Sequence, residues 1–359
     1  MRENNYLPLY GVHKSTNKKL NWEAIVLTTE EIKISNEVRA KWAQNHEYQV
    51  LVNDLRDTTN RLRRVQEDRI REANRVGVKK DGNLQKNLEV RERELSPEQK
   101  ELCATDLRLK KEMEEAWIER CETLQKRHPA YPFLKNVKSC GPILSAILMA
   151  QLDPLKIDYV SSFYAFCGCV KGHDRLVKGE KATFNKWLKA KILGVLADNF
   201  VKQRSEYALY YYNRTIFLLN KENAEIASGE VVSYFGKLKP EDEAAGKRPR
   251  KTAMHIMRMA KRHMMQKFLR DYYCASRYLM GMPIIRAYED EKLGLHHSSE
   301  EDLTSWRRTI EFKNDTKALS AFRKEIKTRC EEMSKVVKDL QEKYGYKSLE
   351  AKNADEDEE

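Results

Sequence analysis

The chain has 359 residues, and its 67 Lys and Arg outnumber 55 Asp and Glu, giving a net charge of +12. That length accommodates about two or three domains, and the positive excess favours an anionic partner. No stretch approaches the roughly eighteen apolar residues of a membrane span, and MRENNYLPLYGVHK has no apolar h-region, so neither a membrane segment nor a secretory signal is expected.

Only fourteen Gly and nine Pro, with 34% charged residues, suit long solvated helices better than a sandwich or barrel, so the expected fold is mainly α. Residues 1–28 mix short apolar runs with polar turns and suit a small strand or an extended arm. Thr28, Thr29, Glu30 and Glu31 then open a helix. Its apolar positions Ile34, Val38, Trp42, Tyr48, Val52, Leu55, Leu62 and Val65 predict one long amphipathic helix, or two with a break, to about Val76. Residues 76–83, VGVKKDGN, form a turn-rich connection. Ser96 followed by Pro97 starts a second helix that runs to about Lys126, before His128 and Pro129. The two make a helical hairpin, a structural arm or a dimer interface.

The most informative stretch is Leu134 to Cys169. An apolar helix end at Leu134 and Val137 leads into a tight turn at Ser139 to Pro142, then a second apolar helix from Ile143 to Leu152. That is the outline of a helix-hairpin-helix, whose turn offers backbone N–H groups to a phosphate oxygen. Asp153 and Pro154 interrupt the second helix. Val160 to Gly168 reads as a short helix ending on glycine.

Toward the C-terminus, Leu319, Phe322, Ile326, Cys330, Met333, Val337, Leu340 and Tyr344 step by three and four. One apolar seam therefore runs along a helix of about seven turns, to be buried by self-association or by the N-terminal helices. The tail from Asn353 to Glu359 is acidic and is expected to be disordered. The resulting division is 1–128 for the arm and hairpin, 129–285 for the central domain, 286–348 for C-terminal amphipathic helices and 349–359 for the tail.

Seven cysteines, an odd number without paired spacing, point to reduced thiols and a cytoplasmic location, nucleoid-associated or in a host cytoplasm. Cys167, Cys169 and His173 have a spacing unusual for zinc and no fourth ligand nearby. Small buried thiols are the expected role, with no metal or cofactor.

The run GPILSAILMAQLDPLKIDYVSSFYAFCGCV resembles the C-terminal domain of the transposases of insertion sequences 110, 116 and 902, matching at Gly141, Pro142, Ala146, Ser162, Phe163, Ala165 and Gly168. Three later landmarks correspond in order: Thr183 to Leu188, then Ser205 to Tyr211, then Gly246 to Arg262. The resemblance covers about 131–282, with residues 215–245 as an acidic insertion. It implies a helical nucleic-acid-binding domain, in a family whose active members use a guide RNA. Such members also carry an N-terminal RuvC-like domain with four metal-binding acids, and a nucleophilic serine in the loop after the helix that corresponds to residues 160–168 here. Here His13 stands where the first acid belongs, and the 170–181 loop, VKGHDRLVKGEK, has no serine. The family's first hairpin glycine is replaced by Ser139. The resemblance therefore implies binding without catalysis, and no catalytic residue is assigned.

Between Gly246 and Arg270 there are nine Lys or Arg and no acid. On a helix, Lys251, His255, Arg258 and Arg262 share one side, while Ala253, Met257, Ala260, Met264 and Phe268 make the buried stripe. A phosphate-facing surface is expected there. Lys138, Ser139 and Gly141 of the turn, Lys171, Arg175, Lys178 and Lys181 of the loop, and Lys247, Arg248, Arg250, Lys251, Arg258 and Arg262 are expected to form one duplex-binding face. Tyr210, Tyr211 and Tyr212 suit core positions better than base stacking. The expected function is non-catalytic binding of double-stranded DNA, or of RNA, by a homo-oligomer joined through terminal helices. The alternatives are a divergent recombinase or nuclease, with Asp153, Asp158 and Asp174 as weak metal candidates, and a structural assembly protein.

Overall fold

A computed structural model describes residues 29–76, 95–157, 159–170, 179, 181–284, 300–312 and 315–346. Outside them lie the N-terminal arm with His13, the 76–83 connection beyond Val76, Asp158, Lys171, His173, Asp174, Arg175, Lys178 and the acidic tail. The described residues are mainly helical and contain no strand, in line with the low Gly and Pro content.

The first long pattern breaks at Asn45 into α1 (Thr29–Gln44) and α2 (His46–Val76). The Asn45 carboxamide accepts from the Tyr48 N–H at 3.0 Å, which satisfies an orphan donor at the new helix start. Helix α3 (Pro97–Gln125) begins with a capping box in which Ser96 and Gln99 exchange hydrogen bonds, with Pro97 at the first position. It runs antiparallel to α2. Glu114 accepts from Gln66 and Arg69 at 2.9 and 2.6 Å, and Arg120 reaches Thr58 at 3.3 Å.

Helix α4 (Tyr131–Leu134) is one turn, and α5 (Pro142–Gln151) follows it across a turn. Every α5 residue from Ser145 to Ala150 is buried, because the helix wedges between α2 and α3. Asp153 caps a 3₁₀ turn at Pro154–Lys156, and α6 (Val160–Phe166) ends before Gly168, at φ 66°. Helix α7 (Lys186–Lys189) continues through a π segment (Ala190–Leu196) into α8 (Ala197–Lys202). The remaining elements are α9 (Glu206–Ala227), α10 (Pro240–Ala244), α11 (Ala253–Leu279), α12 (Glu300–Glu311) and α13 (Thr316–Lys343).

The seam of α13 is covered by α9 of the same chain, not by the N-terminal helices or by a second copy. Ile326, Cys330 and Val337 are buried there, and the rest of the stripe is half-buried. Leu55 of α2, Phe133 of α4, Tyr272 of α11 and Cys330 of α13 belong to one continuous apolar core. The expected boundaries near 128 and 286 thus cross a shared core. Helix α1 is tied in as well: the Trp42 indole donates to the Met280 carbonyl at 2.9 Å, and Arg277 donates to Ser35 at 2.8 Å. Tyr210, Tyr211 and Tyr212 are buried core residues of α9.

All seven cysteines are free, buried thiols. Burial pushes the Cys169 thiol up to about 12 and Cys167 well above its usual range, so both stay protonated and are poor metal ligands. No cluster of metal-binding side chains occurs among the described residues.

Candidate nucleic-acid interface

The turn before α5 is built around one unusual residue. Ser139 sits at φ 75°, the left-handed region favoured by glycine, and its hydroxyl donates to the Gln203 carboxamide at 3.1 Å. The strain of a serine in this conformation costs about 1 kcal/mol. The turn is locked from below. The Asn136 side chain donates to the Thr309 carbonyl of α12 at 2.8 Å, and Arg323 of α13 donates to the Asn136 carbonyl at 3.1 Å.

Gly141 is the N-cap of α5, with extended backbone (φ −67°) and no side-chain cap. Pro142 at the first position has no N–H, so the N–H groups of Ile143 and Leu144, which line the cleft, stand at the positive end of the helix dipole without a cap from Gly141. A Cβ built on Gly141 would meet no atom within 4 Å, so neither backbone conformation nor internal crowding requires glycine there. What glycine provides is bare backbone at the mouth of a cleft.

That cleft, about 640 Å³, is lined by Lys138, Ser139, Gly141, Lys191, Gln203 and Arg323 among others. Lys191 and Val195 reach it from the π segment, which widens the helix where the cleft opens. Cys140 and Pro142 also border a second cleft of about 240 Å³, with Lys126, Lys135 and Glu122 in its wall. The turn borders two hollows that carry lysines. Among the described residues, no carboxylate forms an ion pair with Lys126, Lys135, Lys138 or Lys191.

Lys138 is held below the usual lysine range, first by burial and then by the nearby charges of Arg323 and Lys327, with Glu206 opposing. Burial raises the Glu206 carboxyl to about 7 despite these cations. The pattern marks a concentration of positive charge that the protein itself leaves incompletely neutralised.

The other expected cations are placed differently. Lys247 bonds Asp242 at 2.8 Å. Arg248 pairs with both Glu222 and Glu225, and Lys251 bonds Glu222 at 2.6 Å. Burial alone would push the Glu222 carboxyl up, but hydrogen bonds from Arg248 and from the backbone and ammonium of Lys251 outweigh it and hold it at about 2. Arg250 lies against both Phe235 and Tyr346, whose rings meet edge to face, donates to the Ser233 carbonyl at 3.0 Å and also bonds the Tyr344 carbonyl. These four residues fasten the segment 215–245 to the start of α11 and to the end of α13. The acids missing between 246 and 270 are supplied from 222, 225 and 242, and for Lys261 from Asp198.

The expected single face is therefore divided. Arg323, beside the turn, and Tyr344, beside Arg250, are 21 residues apart on one helix, which is about 32 Å. Arg258 is exposed on α11. Arg262 lies near Cys169, whose thiol feels its charge, at the point where the 171–178 segment departs. Lys181 is exposed ahead of Asn185, the side-chain cap of α7. Lys171, Arg175 and Lys178 fall outside the described residues. Lys126, Lys135, Lys191 and Arg323 were not expected at the site. Each lies on a different segment, and only packing assembles them.

No family model, no curated protein and no solved structure matches the chain. Function must be argued from the site itself.

Proposed function

We propose that this chain is a non-catalytic nucleic-acid-binding protein that holds double-stranded DNA by its backbone phosphates at the 135–142 turn. One observation carries the reading: the uncapped N-terminus of α5 borders two hollows whose lysines have no internal ion pair among the described residues. A helix N-terminus beside several cations suits successive phosphates of a duplex strand, and such contacts are indifferent to base sequence. In this reading the chain is a relative of the transposases of insertion sequences 110, 116 and 902 that has kept the helical domain without the catalytic acids and serine. Its support is that Gly141, Asn185, Ser205 and Thr252, one in each landmark segment, are all N-cap residues of helices sharing one core.

The test is fluorescence anisotropy with a labelled duplex over a salt series, repeated with RNA of the same sequence. Duplex binding should weaken steeply with salt, and Lys138→Gln with Lys191→Gln should lower the slope of log K against log salt by about 1.8. Gly141→Ala should weaken binding while leaving the helical circular dichroism unchanged, because its Cβ points only into the cleft mouth. Binding that ignores all three substitutions overturns the assignment of this site. Preference for RNA would transfer the same phosphate contacts to that ligand.

A further inference from the structure

Helix α3 carries an apolar stripe that nothing covers among the described residues. Leu102 is 71% exposed, Leu109 48% and Met113 51%, and steps of seven and four place them along one side of the helix. That side lies about 100° around the helix from the face that meets α2, where Cys103 and Cys121 are buried and Glu114 bonds Arg69. The stripe ends in a shallow cleft of about 460 Å³ walled by Ala116, Trp117, Glu119, Arg120 and Thr123.

We infer that α3 pairs antiparallel with α3 of a second copy of this chain, about a two-fold axis at Leu109. The occupant is specified by the sequence of the stripe itself. A two-fold at Leu109 sets residue i against residue 218 − i. Leu102 then faces Ala116 of the second copy, so a large side chain enters the cleft left by a small one. Glu98 faces Arg120 of the second copy, and Arg108 lies beside Glu112 on the same flank. In an isologous interface each of these contacts occurs twice. Arg120 is 53% exposed, and its contacts within its own chain, to the Thr58 hydroxyl at 3.3 Å and to Asp54 at 4.0 Å, are long. Glu98 has no ion pair among the described residues. Glu101 and Glu119 approach each other only at the rim, where solvent and salt screen them.

From Glu98 to Arg120 the contact spans about 33 Å. A two-helix interface of that length is at the small end of specific interfaces. This pairing is independent of the nucleic-acid reading, and its test contains no nucleic acid.

Sedimentation equilibrium of the full chain from about 1 to about 200 µM should show a monomer–dimer equilibrium. Leu109→Asp should leave only monomer across that range, with circular dichroism unchanged because Leu109 is exposed. Glu98→Arg and Arg120→Glu should each weaken the dimer on the order of tenfold, and the double charge swap should restore it. A monomeric wild-type chain at the highest concentration overturns the inference. So does a dimer that survives Leu109→Asp, or a double swap that fails to restore association.

Discussion

Two basic clusters of this molecule, residues 247–251 and the turn at 135–142, differ in what neutralises them. Residues 247–251 hold four cations in five positions, and each is committed internally to Asp242, Glu222, Glu225 or the aromatic pair Phe235 and Tyr346. The turn at 135–142 contributes only Lys135 and Lys138, yet packing adds Lys126, Lys191 and Arg323 around it and places no paired carboxylate on its lysines among the described residues. Local charge density measures how many cations a segment contributes. Whether they face a ligand depends on where the carboxylates of other segments end up.

The sharpest break of this contrast is at Glu222, whose side chain is 2% exposed between Arg248 and Lys251. Glu222→Gln leaves Lys251 without its carboxylate and Arg248 with Glu225 alone, and should destabilise the fold by about 3 kcal/mol, read from urea unfolding. If stability is unchanged, the cluster is not the clamp described here, and its cations are as available as those of the turn.

Acid should separate the two regions next. His128, buried ahead of α4, is held down to about 3 by desolvation, and its Nδ1 accepts from the Ala130 N–H at 3.1 Å. It is neutral when folded, while the unfolded chain binds its proton below about pH 6.5. Its stabilising contribution is thus complete above pH 6.5 and declines toward pH 3, by about 1.4 kcal/mol per unit. Glu222 behaves later. Its contribution is complete above about pH 4.3 and disappears only as the pH falls through about 2. Unfolding midpoints from pH 7 to pH 4.5 should fall by roughly 2 to 3 kcal/mol more in the wild type than in His128→Asn. Parallel curves for the two proteins would show that His128 is not the acid-sensitive element of the hairpin region.

For binding, the double change Lys138→Gln with Lys191→Gln should weaken duplex affinity on the order of tenfold at low salt, about 1.4 kcal/mol. Lys247→Gln, in the neutralised cluster, should leave affinity unchanged in the same anisotropy assay. A reversed pattern would exchange the roles of the two clusters. The smallest effect is expected at the turn tip. Ser139→Gly relieves the left-handed strain but loses the bond to Gln203, for a net gain of about 0.5 kcal/mol in urea unfolding.

Much of this architecture was legible in the residues. The helix start at Ser96 and Pro97, the turn at Ser139 to Pro142 and the short helix before Gly168 announce themselves through local chemistry, and each forms where expected. The buried positions of α13 follow from its three-and-four spacing. The partner of that seam does not, because α9 and the N-terminal helices both offer apolar faces of suitable length. The break at Asn45 was legible only as an alternative, since the apolar period runs across it almost without a phase change.

The candidate site was legible in part. Lys138, Ser139 and Gly141 are contiguous with the turn, and helix-start chemistry identifies them without tertiary information. Lys191 and Arg323 stand 50 and 182 residues beyond Gly141, on helices whose apolar faces determine their position. By itself, the sequence determined the helices, their starts and the exposed backbone of one turn, because these depend on forces between residues a few positions apart. Only the tertiary structure decided which cations are neutralised and which are left to a ligand. Ion pairing depends on distance in space, and Glu222 reaches Arg248 and Lys251 across 26 and 29 residues of chain that folding brings to within hydrogen-bond length.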